Sequence, residues 1–281
     1  MKPQAIFIDI DNTLIPYRSK NLTISLENTL VIKTAQKQGI YVVIASGRSY
    51  NDAIKVQKQL RFNEYGDYLI SNNAASIDKV GEEPKKIWEK EIDPLLTNKI
   101  IEYGKKNNFL IKFSQDPKYY GHVKYKLLGY VLKKYGHEVV DYSLLDLSIE
   151  GTRRKMGIIP QTFSLKKIEQ ITNDLRNQFP ELEIVLSGPG RFIEINEKNI
   201  SKASGLKILA EDLDLDLGQC VAIGDSGNDV EMFKVVGIPI VMSNASPEVK
   251  KYAKFETIHA KKSGVAKAIN SVYKMEQKDE Y

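Results

Sequence analysis

Two short apolar runs separated by one helical segment are the feature that most constrains the fold of this 281-residue chain. The first run covers residues 4–9 and the second covers residues 40–45. Continuous apolar runs of this length are typical of strands that are buried on both faces of a sheet. Between them, Thr23 or Ser25 can cap a helix that Gly39 ends. A strand, a helix and a second strand in this order predict a parallel βαβ unit.

The same alternation of helices and apolar strands returns near the C-terminus. The predicted order there is a helix around residues 201–212, a strand over Gln219–Gly224, a helix beginning near Asn228, a strand over Ile238–Met242, and helical segments near residues 246–253 and 263–274. The two ends of the chain therefore predict the halves of one doubly wound parallel sheet, which is an α/β fold.

The middle of the chain has a different pattern. Half-buried strands are expected at Phe109–Phe113, Met156–Ile159 and Leu182–Leu186, and amphipathic helices at Leu128–Tyr135 and Leu165–Phe179. Turn residues cluster at Asp78–Gly81 and at Gly188–Gly190. We therefore expect a core domain of residues 1–79 and 191–281, interrupted by an inserted α+β domain of residues 80–190.

The charge and cysteine content favours some partners over others. The chain has 41 Lys and Arg residues against 36 Asp and Glu residues, spread along its length, and a formal net charge of +5. This balance suits a small anionic substrate or merely solvated lysines, and it argues against nucleic acid. The single cysteine, Cys220, excludes an internal disulfide. Without a signal-peptide pattern or an apolar stretch of the ~20 residues that span a bilayer, we expect a cytoplasmic monomer or homodimer with no membrane partner.

The segment from Asp9 to Leu14, Asp-Ile-Asp-Asn-Thr-Leu, follows directly on the first predicted strand. Ligands of open parallel sheets bind at the carboxyl ends of the strands. Two carboxylates, those of Asp9 and Asp11, leave the strand there, near enough to share a divalent cation and a reacting group. Acidic residues after a strand also cap turns, so this segment alone leaves both interpretations open.

Three further segments are expected at the same edge of the sheet. Ser46 and Gly47 would supply a hydroxyl and backbone N–H groups for phosphoryl oxygens, although Ser-Gly also opens many loops. Asp225, in Gly224–Asp229, is a hard oxygen ligand suited to Mg²⁺, and the segment lacks the further acidic positions of an EF-hand calcium loop. Lys202 begins a helix, where its ammonium could neutralise a phosphate or simply be solvated. Together these segments supply the parts that phosphoryl transfer needs.

This combination resembles the haloacid dehalogenase superfamily, and within it the Cof-like phosphatases with a type IIB cap, over essentially the whole chain. The four motifs of the family are similar, in order, to Asp9–Leu14, Ser46–Arg48, Lys198–Lys202 with Gly205 beyond it, and Gly224–Asp229. Asn12 stands where the family usually has glycine, and Ala74 replaces the glycine of a common Asn-Gly-Ala. Asparagine tolerates left-handed backbone, so we expect the first departure to be harmless and the second to act on the hinge of the cap.

The resemblance implies a Mg²⁺-dependent phosphatase that acts on small phosphorylated metabolites through an aspartyl phosphate on Asp9, with Asp11 as general acid and base. Sugar phosphates, nucleotides and flavin or pyridoxal phosphates all fit as substrates. The ligands implied for Mg²⁺ are Asp9, Asp11 through its backbone carbonyl, and Asp225, with Asp229 ordering bound water. The groups implied for the phosphoryl oxygens are Lys202, Ser46, Asn228 and the backbone at Ile10 and Gly47. The candidates for substrate contact in the cap, with surface placement as the alternative, are Arg153, Arg154, Lys155, Tyr119 and Tyr120.

Three other interpretations stay open. A phosphorylated receiver domain also combines aspartates, a hydroxyl, a lysine and Mg²⁺, but it is one small domain with no reason for an insertion of this size. An inactive sensor of phosphorylated metabolites is opposed by the intact Asp9 and Asp11. A phosphotransferase or mutase shares the chemistry and differs only in the acceptor.

Overall fold

The computed structural model describes residues 2–16, 19, 22–114, 116, 118–122, 138–148, 152–187 and 192–276. The chain forms two compact units, Met1–Trp88 with Ser201–Tyr281, and Glu89–Ile200. We call the first the core unit and the second the cap unit. The helix predicted at Leu128–Tyr135 and the border predicted at Gly188–Gly190 lie outside the described residues.

The described strands and helices alternate near the two ends of the chain, whereas several strands follow one another in the middle. The strands are β1 (Ala5–Ile8), β2 (Tyr41–Ala45), β3 (Tyr68–Ser71), β4 (Ser76–Lys79), β5 (Lys85–Glu89), β6 (Leu110–Phe113), β7 (Tyr119–Tyr120), β8 (Val139–Val140), β9 (Met156–Ile159), β10 (Leu182–Ser187), β11 (Phe192–Glu197), β12 (Val221–Gly224), β13 (Ile238–Met242) and β14 (Phe255–Thr257). The α-helices are α1 (Leu26–Lys37), α2 (Tyr50–Leu60), α3 (Pro94–Lys106), α4 (Leu165–Gln178), α5 (Lys202–Asp212), α6 (Val230–Val235), α7 (Pro247–Lys250) and α8 (Gly264–Glu276).

The core unit is built on a sheet with the strand order β14-β13-β12-β1-β2-β3-β4-β5. The strands from β14 to β3 in this order are parallel, whereas β3 and β4 are antiparallel. The chain begins in the middle of the sheet at β1, moves outward through β2 and β3, and later returns to build β12, β13 and β14 on the other side. The predicted doubly wound α/β fold is confirmed.

Both faces of this sheet are covered, which explains the continuous apolar run of β1. Ile6 and Ile8 belong to an apolar cluster with residues of α1 and α8. Ala5 and Phe7 belong to a second cluster, with residues of α5 and α6. Because successive side chains of a strand point to opposite faces, each face of β1 needs apolar residues of its own.

The cap unit has its own sheet and its own apolar core. Its strand order is β10-β11-β9-β6-β7-β8 in the described part of the unit. One face of the sheet packs with α3 and α4, through residues such as Ile100 on α3 and Ile168 on α4. The predicted strand at Met156–Ile159 matches β9, while the strand predicted at Phe109–Phe113 begins one residue later. The second, α+β part of the predicted architecture is therefore present.

The segment after β4 differs from the expectation that the inserted domain begins at residue 80. β5 continues the core sheet beside β4, and Lys86 on β5 pairs with Asp78 on β4 at 2.7 Å. Since β5 is an edge strand with mostly exposed side chains, its sequence lacks an apolar run like those of β1 and β2. Among the described residues, no helix is both long and apolar enough for a membrane crossing.

Candidate active site

The residues singled out by the sequence motifs lie at one edge of the core sheet. Asp9 follows β1, Ser46 follows β2 and Asp225 follows β12, so all three leave the carboxyl ends of parallel strands. Lys202 is the first residue of α5. In a doubly wound sheet this edge, next to the strand where the winding changes direction, is where ligands bind.

A buried lysine ties two of the carboxylates together. The Nζ atom of Lys202, which is fully buried, lies 2.5 Å from Oδ1 of Asp9 and 2.7 Å from Oδ1 of Asp229. Burial alone would lower the pKa of Lys202, but the carboxylates of Asp229 and Asp9 outweigh it and the net pKa is raised. Lys202 therefore stays charged, and it is held in place by two ionic hydrogen bonds.

Asp9 is the carboxylate most affected by this environment. Burial raises its pKa, Lys202 opposes the rise, and the negative charges of Asp229 and Asp225 add to it. Three acidic side chains thus face one ammonium ion in a site with little water. A group of this kind has an unbalanced negative charge that a bound cation would relieve.

Asp229 is used to shape the loop that carries Asp225. Its Oδ2 accepts hydrogen bonds from the backbone N–H groups of Asp225 and Ser226, both at 2.9 Å, while its Oδ1 accepts from Lys202. Gly224 is needed here, because a Cβ atom at that position would lie 2.4 Å from Cγ of Asp229. The motif resemblance implied a role for Asp229 in ordering water; its direct pairing with Lys202 could not be inferred from the sequence.

The negative charge of Asp225 is less neutralised by its neighbours than that of Asp229, which pairs with Lys202. Its Oδ1 accepts a hydrogen bond from the Thr13 hydroxyl at 3.2 Å, and its Oδ2 accepts one from the Asn244 amide at 3.3 Å. Burial, followed by the nearby Asp229 charge, raises the pKa of Asp225 to about 7. Carboxylate oxygens of Asp9, Asp225 and Asp229 lie within 4.8 Å of one another, which is the spacing of a shared cation site.

Asp11 differs from these buried carboxylates because its side chain is 56% exposed. Arg48 donates from Nε to Oδ2 of Asp11 at 2.8 Å and from Nη2 to Oδ1 at 2.6 Å. The hydrogen bonds with Asp11 raise the pKa of Arg48. Arg48 belongs to the second sequence motif, but the sequence implied no role for it. Only the fold shows that Arg48 holds Asp11 through both Nε and Nη2.

The backbone of the loop after β1 is a tight turn. The N–H groups of Leu14 and Ile15 both donate to the carbonyl of Ile10, at 3.0 and 2.8 Å. Asn12 has φ 58°, so the position that is glycine in the family motif does need left-handed backbone, which asparagine tolerates. This turn carries the buried Asp9 at its start and the exposed Asp11 two residues later.

The remaining motif residues also lie at this edge. Ser46 is buried, and its Oγ accepts a hydrogen bond from the backbone N–H of Arg48 at 3.1 Å. The Asn228 amide donates to Oδ1 of Asn73 at 3.1 Å and accepts from the Ser226 hydroxyl at 2.7 Å. Ser46 and Asn228 are therefore positioned by the same loops that hold Asp11 and Asp225. Their roles toward phosphate are proposals.

A run of left-handed backbone follows β3. Asn72, Asn73 and Ala74 have φ values of 53°, 57° and 81°. Left-handed backbone costs an L-residue with a Cβ atom roughly 1–2 kcal/mol, so Ala74 holds a conformation that glycine would adopt more easily. Ala74 also packs against α5, since a Cβ atom built on Gly205 would lie 2.6 Å from the Cβ of Ala74.

Replacement of Gly205 by alanine is expected to lower both stability and activity. The new methyl group would meet Cβ of Ala74 at 2.6 Å and Cγ2 of Ile70 at 2.9 Å. Overpacking of this kind typically costs about 1–3 kcal/mol, more than the gain of up to about 1 kcal/mol from replacing glycine in a helix. Because Lys202 lies one turn earlier on α5, moving this helix moves the buried ammonium. Urea unfolding and turnover measure the two effects.

The control for Gly205→Ala is Gly227→Ala, because no atom lies within 4 Å of a Cβ built on Gly227. We expect Gly227→Ala to unfold at nearly the wild-type urea concentration. A Gly205→Ala protein as stable as the Gly227→Ala protein would contradict the close packing of α5 against Ala74.

The five candidate contact residues of the cap are not simply placed on the surface. Arg154 is buried and paired with Glu89, and Lys155 is buried with its Nζ 3.2 Å from Glu194. Arg153 and Glu91 form an ion pair at 2.7 Å. The expectation of surface placement is wrong for Arg154 and Lys155, because Glu89 and Glu194 of the cap unit, which lie far from them in the sequence, supply carboxylate partners.

Of the two candidate tyrosines in the cap, one is buried and the other is half-buried. Tyr120 is buried, and its hydroxyl donates to Oδ2 of Asp116 at 2.5 Å. Tyr119, the preceding residue, is half-buried, and the Nζ atom of Lys112 lies 5.4 Å from the centre of its ring. Surface placement is therefore wrong for Tyr120 as well. A role of either ring in substrate contact stays a prediction.

The sequence comparisons place this site in a known family. A family model described as haloacid dehalogenase-like hydrolase matches residues 6–269. A Streptococcus pyogenes protein named as a candidate phosphatase is 30% identical over 279 residues, covering 96% of this chain and 98% of that protein. The 5-amino-6-(5-phospho-D-ribitylamino)uracil phosphatase YcsE of Bacillus subtilis is 26% identical over 274 residues, covering 94% of this chain and 93% of that one. The fold and the site thus define an enzyme of the phosphatase class. The chain belongs to the haloacid dehalogenase-like hydrolases.

Solved structures support the same fold over nearly the whole chain. A phosphatase of the haloalkanoate enzyme superfamily from Bacteroides thetaiotaomicron has a TM-score of 0.80 at 22% identity, covering 96% of this chain and 95% of that chain. A Thermotoga maritima protein has a TM-score of 0.73 at 25% identity, covering 96% and 97%. A subclass IIB sugar phosphatase has a TM-score of 0.75 at 20% identity, covering 96% and 98%. The resemblance inferred from the four motifs is confirmed.

Proposed function

We propose that this enzyme hydrolyses phosphoric monoesters of small metabolites in the cytoplasm, with Mg²⁺ as cofactor and an aspartyl phosphate on Asp9 as intermediate. The observation that carries the proposal is the buried group of Asp9, Lys202, Asp225 and Asp229 at the carboxyl edge of the core sheet. This group places a nucleophilic carboxylate, a fixed ammonium and a candidate cation site within one small volume.

The donor set fits Mg²⁺. Oxygens of Asp9, Asp225 and Asp229 lie within 4.8 Å of one another, and carboxylate oxygens are the ligands that this cation prefers. Asp229 accepts from the Lys202 ammonium on one oxygen and from two backbone N–H groups on the other. Among the described residues, Asp225 accepts only from two uncharged side chains, and Asp9 is hydrogen-bonded through Oδ1, so Asp9 and Asp225 are the better side-chain ligands. The Asp11 side chain faces Arg48 instead, so a contribution from Asp11 would come from its backbone carbonyl. When bound, Mg²⁺ would neutralise charge shared by the carboxylates and the phosphoryl group.

Asp9 is proposed as the nucleophile. Lys202 donates to its Oδ1, which fixes the carboxylate, while Oδ2 carries no hydrogen bond from any described residue. An Asp9 oxygen attacks phosphorus, the bond between phosphorus and the ester oxygen breaks, and the leaving group takes a proton from Asp11. In the second half-reaction water attacks the same phosphorus, Asp11 accepts a proton from it, and the bond to Asp9 breaks to release inorganic phosphate.

The phosphoryl oxygens are proposed to bind Ser46, Asn228, Lys202 and the backbone N–H groups at Ile10 and Gly47. Ser46 is held by a hydrogen bond within its own loop, and Asn228 by one within its loop and one to Asn73 of another, so their positions are set before substrate arrives. Donors fixed in advance stabilise the charge that spreads over the phosphoryl group in the transition state. These contacts recognise phosphate alone, so selection among metabolites is assigned to the cap.

The proposal of a substrate class is supported by two relatives, since the contacts of the site itself recognise only phosphate. One relative is named for a phosphorylated ribitylamino-uracil, and one structural neighbour is titled a sugar phosphatase. We therefore expect phosphates of sugars and of sugar-alcohol derivatives to be the best substrates in a panel of phosphorylated metabolites. We expect hydrolysis of all of them to stop after chelation and to return with added Mg²⁺. Turnover that continues unchanged after exhaustive chelation would contradict the proposed cofactor.

The pH dependence of stabilisation by Mg²⁺ follows from the raised pKa of Asp225. In the folded, metal-free protein this pKa is about 7, against an ordinary value of 3.8. Between these values the folded state holds a proton that the unfolded chain has released, so the contribution of Asp225 to stability falls as the pH rises through this window. Because Mg²⁺ replaces that proton, we expect it to raise the melting temperature more at about pH 8 than at about pH 5.5.

The matched control for this pH effect is Asp225→Asn, which has no proton to exchange at this position. In that variant the rise in melting temperature produced by Mg²⁺ should be smaller and should depend less on pH. A larger effect of Mg²⁺ at the lower pH in the wild-type protein would oppose the assignment of Asp225 as a ligand.

A further inference from the structure

Asn244 connects three separate segments at the edge of the core sheet. It lies in the turn after β13, two residues beyond Met242. Its Nδ2 atom donates to the backbone carbonyl of Asn12 at 2.9 Å and to Oδ2 of Asp225 at 3.3 Å. Its Oδ1 accepts from the backbone N–H of Ala260 at 3.1 Å. One side chain thus joins the loop after β1, the loop after β12 and the turn that precedes α8.

The three contacts determine which way the Asn244 amide faces. An asparagine amide has two N–H donors and one carbonyl acceptor. Two of the partners, the Asn12 carbonyl and the Asp225 carboxylate, only accept, and the third, the Ala260 N–H, only donates. With the amide turned over, an oxygen would face two oxygens and a nitrogen would face an N–H group, so just one orientation satisfies all three partners.

The hydrogen bonds at Asp225 orient the carboxylate without neutralising it. Asn244 and Thr13 each donate to one of its oxygens, and both donors are uncharged. Asp229, by contrast, accepts from the ammonium of Lys202. Outer hydrogen-bond partners of this kind orient a metal ligand, and being uncharged they do not compete with a bound cation for its charge.

The other contact of Asn244 falls beside the nucleophile loop. Asn12 has left-handed backbone and follows Asp11, whose carbonyl is the proposed backbone ligand. By donating to the Asn12 carbonyl, Asn244 connects the loop after β1 to the loop of Asp225. Asn244 and Asn12 are 232 positions apart in the chain. The Asn244 amide thus adds a second link between the two loops, beside the hydrogen bond from Thr13 to Asp225.

We propose that Asn244 is a positioning residue for cation binding, which fixes Asp225 and the loop after Asp11 at the separation that the cation needs. The role rests on the proposed function, since it concerns the same site. Asn244 itself contributes no reacting group. Its loss should therefore weaken the binding of Mg²⁺, while the chemical step at saturating Mg²⁺ is affected far less.

The test is a calorimetric titration of metal-free protein with Mg²⁺ for the wild type and for Asn244→Ala. Loss of a hydrogen-bond partner of a metal ligand typically weakens metal affinity about 10–100-fold, and we expect an increase in Kd of that size. At saturating Mg²⁺, kcat for p-nitrophenyl phosphate should return toward the wild-type value. Asn244→Ser, which keeps a short hydroxyl donor, should give an intermediate Kd, and it decides the question if Asn244→Ala does not fold.

The matched control is Ser243→Ala, one residue earlier in the same turn, whose side chain has no hydrogen bond with any described residue. It should bind Mg²⁺ with the wild-type Kd. A folded Asn244 variant with the wild-type Kd would overturn the positioning role, whether or not its kcat falls, and would leave the proposed function standing. A wild-type protein that binds no Mg²⁺ would overturn the proposed function and this role with it.

Discussion

Replacement of Asp9 by asparagine is expected to abolish turnover of every phosphate ester. The variant lacks the carboxylate oxygen that attacks phosphorus, and an amide is too weak a nucleophile to replace it. The change keeps the size of a buried side chain whose pKa is already raised by burial, so the fold should persist. Rapid-quench mass spectrometry measures the result directly, because no phosphorylated protein should form.

The matched variant is Asp11→Asn, which leaves the nucleophile in place and removes proton transfer. We expect a loss of roughly 10²–10⁴-fold for sugar phosphates, whose alkoxide leaving groups need a proton. The loss should be much smaller in the phosphorylation step with p-nitrophenyl phosphate, because nitrophenolate leaves unassisted. Attack of water on the intermediate then lacks its base, so phosphoenzyme should accumulate.

A different outcome would change the assignment of the two aspartates. Suppose that Asp11→Asn loses activity equally toward aryl and sugar phosphates, forms no phosphoenzyme and binds no Mg²⁺. The Asp11 side chain would then be a metal ligand, in spite of its exposure and its pairing with Arg48. A phosphoenzyme in Asp9→Asn would place the nucleophile elsewhere.

Replacement of Lys202 by methionine is expected to have the largest effect on stability. The ammonium is fully buried between Asp9 and Asp229, so its removal leaves two buried carboxylates without a cation. Breaking a buried ion pair by removing one partner typically costs about 3–5 kcal/mol. Activity should also fall strongly, because Asp9 then has no neighbouring cation to favour its charged form. Urea unfolding in the absence of Mg²⁺ measures the change.

Two further variants test whether the unpaired buried carboxylates cause the loss of stability. Lys207→Met is the control, since Lys207 is exposed on the same helix, and it should be nearly as stable as the wild type. Adding Asp229→Asn to Lys202→Met removes one of the unpaired charges and should recover part of the stability without restoring turnover. A Lys202→Met protein with wild-type stability would show that the buried ion pairs contribute nothing net to the fold.

The sequence by itself was sufficient to predict the architecture of the core. Apolar runs at β1 and β2, with a capped helix between them, require strands buried on both faces, and the structure has those strands within a residue or two of their predicted bounds. Four strands of the core sheet, β3, β4, β5 and β14, were not predicted. The exposed edge strand β5 has no continuous apolar pattern, because patterning reports burial. The run at β3 is buried but only four residues long, and it was missed as well.

The candidate site, too, could be predicted from the sequence only in part. The positions of Asp9, Ser46 and Asp225 after parallel strands, and of Lys202 at a helix start, follow from local patterns together with the rule that strand ends meet at one edge. The hydrogen-bond and ion-pair partners of these residues follow neither from local patterns nor from that rule. Lys202 meets Asp9 across 193 positions of sequence, and Asp11 meets Arg48 across 37.

What the sequence determined, then, is which chemical groups arrive at the edge of the sheet, since that depends on periodicity, turns and motif spacing. Only the tertiary structure decided which of them are buried together and which donor serves which oxygen. The physical reason is that burial and ion pairing depend on distances of a few ångströms between segments far apart in the chain. The buried ammonium between two aspartates, the exposed pair of Asp11 with Arg48, and the amide of Asn244 between three loops all exist through those distances alone.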